Sequence, residues 1–178
     1  VAETYPDCDI LVDGNDGYPI DEFEQYLKGI EGVKLFWIEE PFRETVEDYQ
    51  KLRSVLKDLG FQTLLADGEA APDQAFLRKL IDLKLLDVHL TDVQELGFTG
   101  WRNLIPELKK KKVLASPHAW GSQIKTNLTS HLTAALGNTA TIEGVTCISD
   151  DVDFGNYHIQ NGKLIPSSSP GFGMKLLV

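Results

Sequence analysis

The chain has 178 residues, 42% of them hydrophobic and 25% charged, which is length enough to bury a core within one domain and excludes disordered, collagenous and low-complexity classes. Its 27 acidic and 17 basic residues leave a formal charge of -10, a field that repels a phosphate polyanion, so no nucleic acid is expected as a partner. No apolar run approaches the roughly 18 residues of a membrane span, and no membrane association is expected either.

Short apolar runs alternate with amphipathic stretches along most of the chain, the signature of βα units around a parallel sheet. Six strands are predicted: Asp9-Ile-Leu-Val-Asp13, Leu35-Phe-Trp-Ile-Glu39, Thr63-Leu-Leu-Ala-Asp67, Leu86-Asp-Val-His-Leu90, Val113-Leu-Ala-Ser116 and Ala140-Thr-Ile-Glu143. Helices are predicted between them near 21–31, 45–59, 73–84, 99–111 and 122–136, with start signals at Asp73 after Pro72 and Ser122 after Gly121. In the second helix Val46, Tyr49, Leu52, Val55, Leu56 and Leu59 recur at helical spacing and make one stripe to lay on a sheet. From about 150 the pattern changes: Tyr157 to Ile165 places Asn161-Gly162 between two β-prone runs, a hairpin signal, and a Ser/Pro/Gly-rich tail follows.

Cys8 and Cys147 are far apart and form neither a disulfide framework nor a Cys-x-x-Cys metal pair, so a reducing cytoplasm is the expected compartment. The basic run Lys109 to Lys112 reads as a helix end, where cations complement the dipole. Asn127-Leu-Thr129 fits the glycosylation triplet but falls in a predicted helix. The chain opens at Val1 and its one methionine is Met174, which leads us to expect a segment of a longer protein.

Strands buried on both faces should be wholly apolar, yet each βα unit carries an acid or histidine at the C-terminal edge of its strand, where α/β folds place chemistry. The positions are Asp13, Glu39, Glu69, Asp92, His118 and Glu143, separated by 26, 30, 23, 26 and 25 residues. Any one alone reads as a helix cap or a solvated loop acid. One per unit means that all six point into one mouth.

Asp13, Glu39 and Glu69 come from consecutive strands, and three carboxylates within about 4 Å would repel by roughly 4 kcal/mol per pair at an effective dielectric of 20. A cation resolves the repulsion, and an all-oxygen set with open positions favours Mg²⁺. Alternation places Asp67 on the face of Glu69 and Asn15 on that of Asp13, so both are candidate substrate contacts, whereas Glu40 faces away and pairs structurally. His118 titrates near neutral pH, and Asp92 on the adjacent strand can hold one of its ring nitrogens, which is base-and-orienter logic without a nucleophile. Glu143 closes the ring as a proton or hydrogen-bond donor if its site raises its pKa. His89, His131 and His158 are expected to pack quietly.

Val12-Asp-Gly-Asn15, Trp37-Ile-Glu-Glu-Pro41, Gly68-Glu69, Thr91-Asp92 with Gly97-Phe-Thr-Gly-Trp101, Pro117-His118 and Ile142-Glu143 resemble the third- to eighth-strand motifs of the enolase superfamily, in its mandelate racemase/muconate lactonizing branch. The likeness spans about residues 7–178. It implies an α/β chain forming a partial (β/α) barrel of TIM type, with residues 1–150 as the barrel's catalytic part and 151–178 as a hairpin and tail packed on the barrel or a capping domain. It implies Mg²⁺ on Asp13, Glu39 and Glu69, a His118-Asp92 dyad and an electrophilic Glu143. Family members also carry an N-terminal α+β capping domain and two earlier barrel strands, the second of which supplies a lysine base; these are expected to lie outside this chain. Six units fall short of the eight, in about 250 residues, that close such a barrel.

The expected activity is Mg²⁺-dependent removal of the proton alpha to a carboxylate through an enediolate. Dehydration of a sugar acid leads, because a racemase needs bases on both faces of the carbon. Racemisation or epimerisation of a hydroxy acid is the alternative within the family, and a non-catalytic sugar-acid-binding remnant is the alternative of another class. The expected partners are a sugar-acid or hydroxy-acid substrate, the missing N-terminal part of the protein, and further copies in a homo-oligomer.

Overall fold

The computed structural model describes residues 1–43, 45–69, 71–144 and 149–177, so Cys147 lies outside the described residues. The chain divides into two compact units, Val1–Gly68 with Pro72–His89, and Glu69–Ala71 with Leu90–Val178.

The first unit alternates β1 (Ile10–Asp13), α1 (Ile20–Gly29), β2 (Leu35–Glu39), α2 (Val46–Asp58), β3 (Leu64–Asp67), α3 (Gln74–Asp82) and β4 (Val88–His89). Its strands are parallel and neighbours in chain order, in the register Asp13↔Glu39, Glu39↔Ala66 and Asp67↔His89. Such strands cannot be joined by tight turns, and the crossover helices cover the face of the sheet on which they pack. The stripe predicted on α2 forms: Tyr49, Leu52 and Leu56 are buried, with Ile38, Leu65 and Ala66 of the strands also in the core. Each such leucine contributes about 2 kcal/mol through removal from water. Thr45 caps α2 by accepting the Asp48 N–H at 3.0 Å, and Asp73 caps α3 by accepting the N–H groups of Ala75 and Phe76.

The second unit contains α4 (Val93–Lys111), β5 (Leu114–Ala115), α5 (Gln123–Leu136), β6 (Val152–Asp153), β7 (His158–Gln160), β8 (Lys163–Ile165) and β9 (Lys175–Leu176). Helix α4 begins at Val93 instead of near 99, because Asp92 caps it through the Gln94 N–H, and the helical run is interrupted at Gly97 (φ 72°, ψ 158°). The basic run closes the helix as expected, with Lys112 in the left-handed conformation at its cap. Asn161 (φ 51°) and Gly162 (φ 71°) turn β7 into antiparallel β8, the hairpin predicted from Asn-Gly. Strands β6 and β9 form a second antiparallel pair.

The strand predicted at Ala140–Glu143 does not form. Its stretch makes one parallel bridge, Thr139 to Ala115, with the Ala115 N–H donating to the Asn138 carbonyl at 2.8 Å. The next donor on the β5 side would be residue 117, which is a proline and has no N–H. The Thr141 carbonyl instead accepts the Ser116 hydroxyl at 2.7 Å. No described helix is long and apolar enough to cross a membrane.

Candidate active site

In the first unit, Asp13 and Glu39 are the final residues of β1 and β2 and lie opposite one another in register. The chains beyond them are tied together: Gly14 N–H donates to the Glu39 carbonyl at 2.8 Å, and Asp16 N–H to the Glu40 carbonyl at 2.7 Å. A Cβ at Gly14 would stand 2.7 Å from the Glu40 oxygen and from Pro41 Cα, so the approach requires glycine. Asn15 adopts φ 45° and folds back onto Asp13, donating its backbone N–H to Oδ1 and its side-chain Nδ2 to Oδ2. Glu40 is buried, in line with its expected structural role.

Asp67 takes a different place from the one expected. It is fully buried and accepts the hydroxyl of Tyr49 from α2, so it is a core group and is not presented to a substrate. The alternation that put it on the face of Glu69 fails at Gly68, whose φ of 110° turns the chain between them. His89, its register partner, is buried, and burial together with the charge of Arg78 pushes its pKa down to about 4. It is therefore neutral at pH 7, as the quiet role predicted for it requires.

The second unit brings Glu69, Asp92, His118 and Glu143 together. His118 Nδ1 lies 2.9 Å from Asp92 Oδ2, and Nε2 lies 2.6 Å from Glu69 Oε1 and 3.8 Å from Glu143 Oε2. Two backbone bonds set this pairing: His118 N–H donates to the Leu90 carbonyl at 2.8 Å, and Val93 N–H to the His118 carbonyl at 3.1 Å. The indole of buried Trp101 donates to the Thr91 carbonyl at 3.1 Å and fixes the turn that carries Asp92. Glu143 accepts the Ala119 N–H, so the residue after His118 orients the acid on the following segment.

Electrostatics follow from this crowding. Burial alone pulls His118 down, but hydrogen bonds to Glu69 and Asp92 and the charges of Glu143 and Glu69 outweigh it, raising its pKa to about 9. Burial alone raises Asp92, and the bonds from Lys125, the Gln94 N–H and His118 overcome it, holding the carboxyl below its ordinary value. An ionised carboxylate only accepts, so the hydrogen on Nδ1 belongs to His118. A group that sequence reasoning missed is Lys125, whose Nζ lies 2.5 Å from Asp92 Oδ2. The remaining histidines keep away from this cluster: His131 packs between Tyr157 and Phe172, and exposed His158 faces the Asn156 carbonyl.

Residues 1–177 match the family model for the enolase C-terminal domain-like fold. Among solved structures, the chain is similar to galacturonate dehydratase from Geobacillus sp., complexed with D-galacturonate and 5-keto-4-deoxy-D-galacturonate (28% identity, TM-score 0.85, 97% of this chain and 46% of that one). It is also similar to a mandelate racemase/muconate lactonizing protein from Geobacillus sp. Y412MC10 complexed with magnesium and tartrate (29%, TM-score 0.83, 94% and 43%). A curated relative is mitochondrial enolase superfamily member 1 of Homo sapiens, 23% identical over 96% of this chain and 40% of its own length. The chain thus spans less than half the length of these relatives. The fold class is α/β, part of a TIM-type (β/α) barrel. The match over residues 1–177 shows that the chain belongs to the enolase C-terminal domain-like family.

Proposed function

We propose that the protein containing this chain removes the proton alpha to the carboxylate of a sugar acid, with His118 as the base, and that the reaction ends in dehydration. The observation that carries the reading is the imidazole of His118, gripped at Nδ1 by Asp92 and directed at Nε2 toward two further carboxyl groups. An imidazole fixed at one nitrogen, with the other facing groups that exchange protons, has the geometry of a general base. The likeness to a galacturonate dehydratase supports the substrate class.

In this reading, His118 gives up its Nε2 proton when Glu69 leaves it, since the Glu69 bond is the largest of the causes that raise its pKa. The neutral Nε2 then accepts the carbon-bound proton, while Asp92 holds Nδ1–H and stabilises the imidazolium that results. The C–O bond at the neighbouring carbon then breaks, and the departing hydroxide takes a proton from the imidazolium, so that one water is lost and the enol becomes a keto acid. Glu143, whose carboxyl accepts the Ala119 N–H, is the group we assign to a hydrogen bond with the substrate carboxylate. Lys125 is held on Asp92 and supplies no second base for racemisation.

Asp13, Glu39 and Glu69 are the residues we assign to Mg²⁺. The donor set fits that ion, because all three offer hard, acceptor-only oxygens with no thiolate or imidazole among them. When bound, Mg²⁺ supplies positive charge against the enediolate oxygens.

Exchange in D₂O tests the base. With Mg²⁺ and a panel of sugar acids beginning with D-galacturonate, the wild-type protein should wash deuterium into the alpha position of recovered substrate or of a poorly eliminated analogue. His118→Asn should lose roughly 10² to 10⁴ of that rate, the contribution of a positioned base. Undiminished exchange in His118→Asn removes His118 from the mechanism.

A further inference from the structure

Lys125 occupies a costly position. It is the third residue of α5, counted from the Ser122 cap, and the first turn of that helix contains no acidic residue. The positive end of the helix dipole opposes a cation there. Its side chain is 14% exposed and that of Asp92 11%, so the pair has also given up most of its hydration. A lysine free to point outward would avoid both penalties. Instead Nζ reaches 2.5 Å from Asp92 Oδ2, the same oxygen that faces His118 Nδ1 at 2.9 Å. The other oxygen, Oδ1, accepts the Gln94 N–H at 2.7 Å.

We propose that Lys125 is a positioning residue for the His118-Asp92 pair: by binding Oδ2 it locks the carboxylate in the orientation that receives Nδ1–H and divides the negative charge on that oxygen between two donors. With Oδ1 on the backbone of α4 and Oδ2 on the ammonium of α5, the carboxylate cannot rotate about its own axis. The His118 ring is thereby confined to one tautomer, with Nδ1 bearing hydrogen and Nε2 turned to the reacting side. The inference rests on the reading of His118 as the base, and Lys125 acts only through Asp92, without touching substrate.

The test uses the full-length protein with ¹⁵N-labelled histidine, comparing wild type with Lys125→Met, Lys125→Gln and Lys125→Arg. Wild type and Lys125→Arg should show a His118 Nδ1–H resonance protected from solvent, and the two neutral variants should lose that protection. In the D₂O exchange assay with D-galacturonate, kcat should fall roughly tenfold or more in the neutral variants, the order expected when an outer partner that orients a functional imidazole is removed. KM should stay within about twofold, and Lys125→Arg should recover most of the rate, since it keeps charge and reach. If Lys125→Met does not fold, Lys125→Gln carries the comparison. A protected Nδ1–H and full kcat in Lys125→Gln overturn the proposal. Exchange that survives His118→Asn sinks the base reading instead, and the Nδ1–H signal still decides whether Lys125 positions the pair.

Discussion

Asn15 donates to both carboxylate oxygens of Asp13, from its backbone N–H to Oδ1 at 2.8 Å and from Nδ2 to Oδ2 at 2.6 Å. Each oxygen keeps a lone pair for a cation, while the side chain loses its rotational freedom. Asn15→Ala should therefore weaken Mg²⁺ binding roughly tenfold without abolishing it, and Asp13→Asn should weaken it far more. Titration calorimetry on the two variants reads the difference, and unchanged affinity in Asn15→Ala would show that the fold-back is purely local.

Tyr49 and Asp67 meet in the core of the first unit. Tyr49→Phe leaves a buried carboxylate short of a donor, which costs about 1–3 kcal/mol. Urea unfolding should show that loss at pH 7. A variant as stable as wild type would mean that another donor takes over the carboxylate.

His89 links stability to acid. Its folded pKa is about 4 against an ordinary value of 6.5, so between those limits the unfolded chain binds a proton that the folded chain refuses. Its contribution is fully present above pH 6.5 and is lost as pH falls toward 4, on the order of 3 to 4 kcal/mol at about 1.4 kcal/mol per unit. His89→Gln should flatten this part of the stability curve in denaturant melts. An equally steep curve in that variant would assign the acid sensitivity to other groups.

The triplet Asn127-Leu-Thr129 should carry no glycan. Asn127 and Thr129 are both fully buried in α5. Intact-mass measurement after expression in a glycosylating host should give the bare polypeptide mass, and an added glycan on Asn127 would mean that α5 is not packed as described.

Periodicity made β1 to β3 and α1 to α3 legible to within about two residues, because local patterns and side-chain caps such as Asp73 act over a few positions. The segment Ala140–Glu143 looked like the other strands, and its failure to pair is decided 23 residues earlier by the missing N–H of Pro117. The Asp92-His118 contact was legible from one polar residue per unit, whereas Lys125 was not, since a lysine on a helix ordinarily reads as solvated surface. The available signal was its place in the first turn of α5, where a cation needs a partner to be tolerated. Asp67 was misplaced because strand alternation holds only while φ stays extended, and Gly68 ends that.

The main chain of His118 is fastened to Leu90 on one side of Asp92 and to Val93 on the other. His118 and Asp92, the base and orienter of the proposed function, are consequently one mechanical piece: a displacement of either carries its partner along. Exposed Trp120, two positions beyond the base, lies outside that fastening. Under the proposed function, a substitution at Trp120 therefore leaves the geometry between His118 and Asp92 in place.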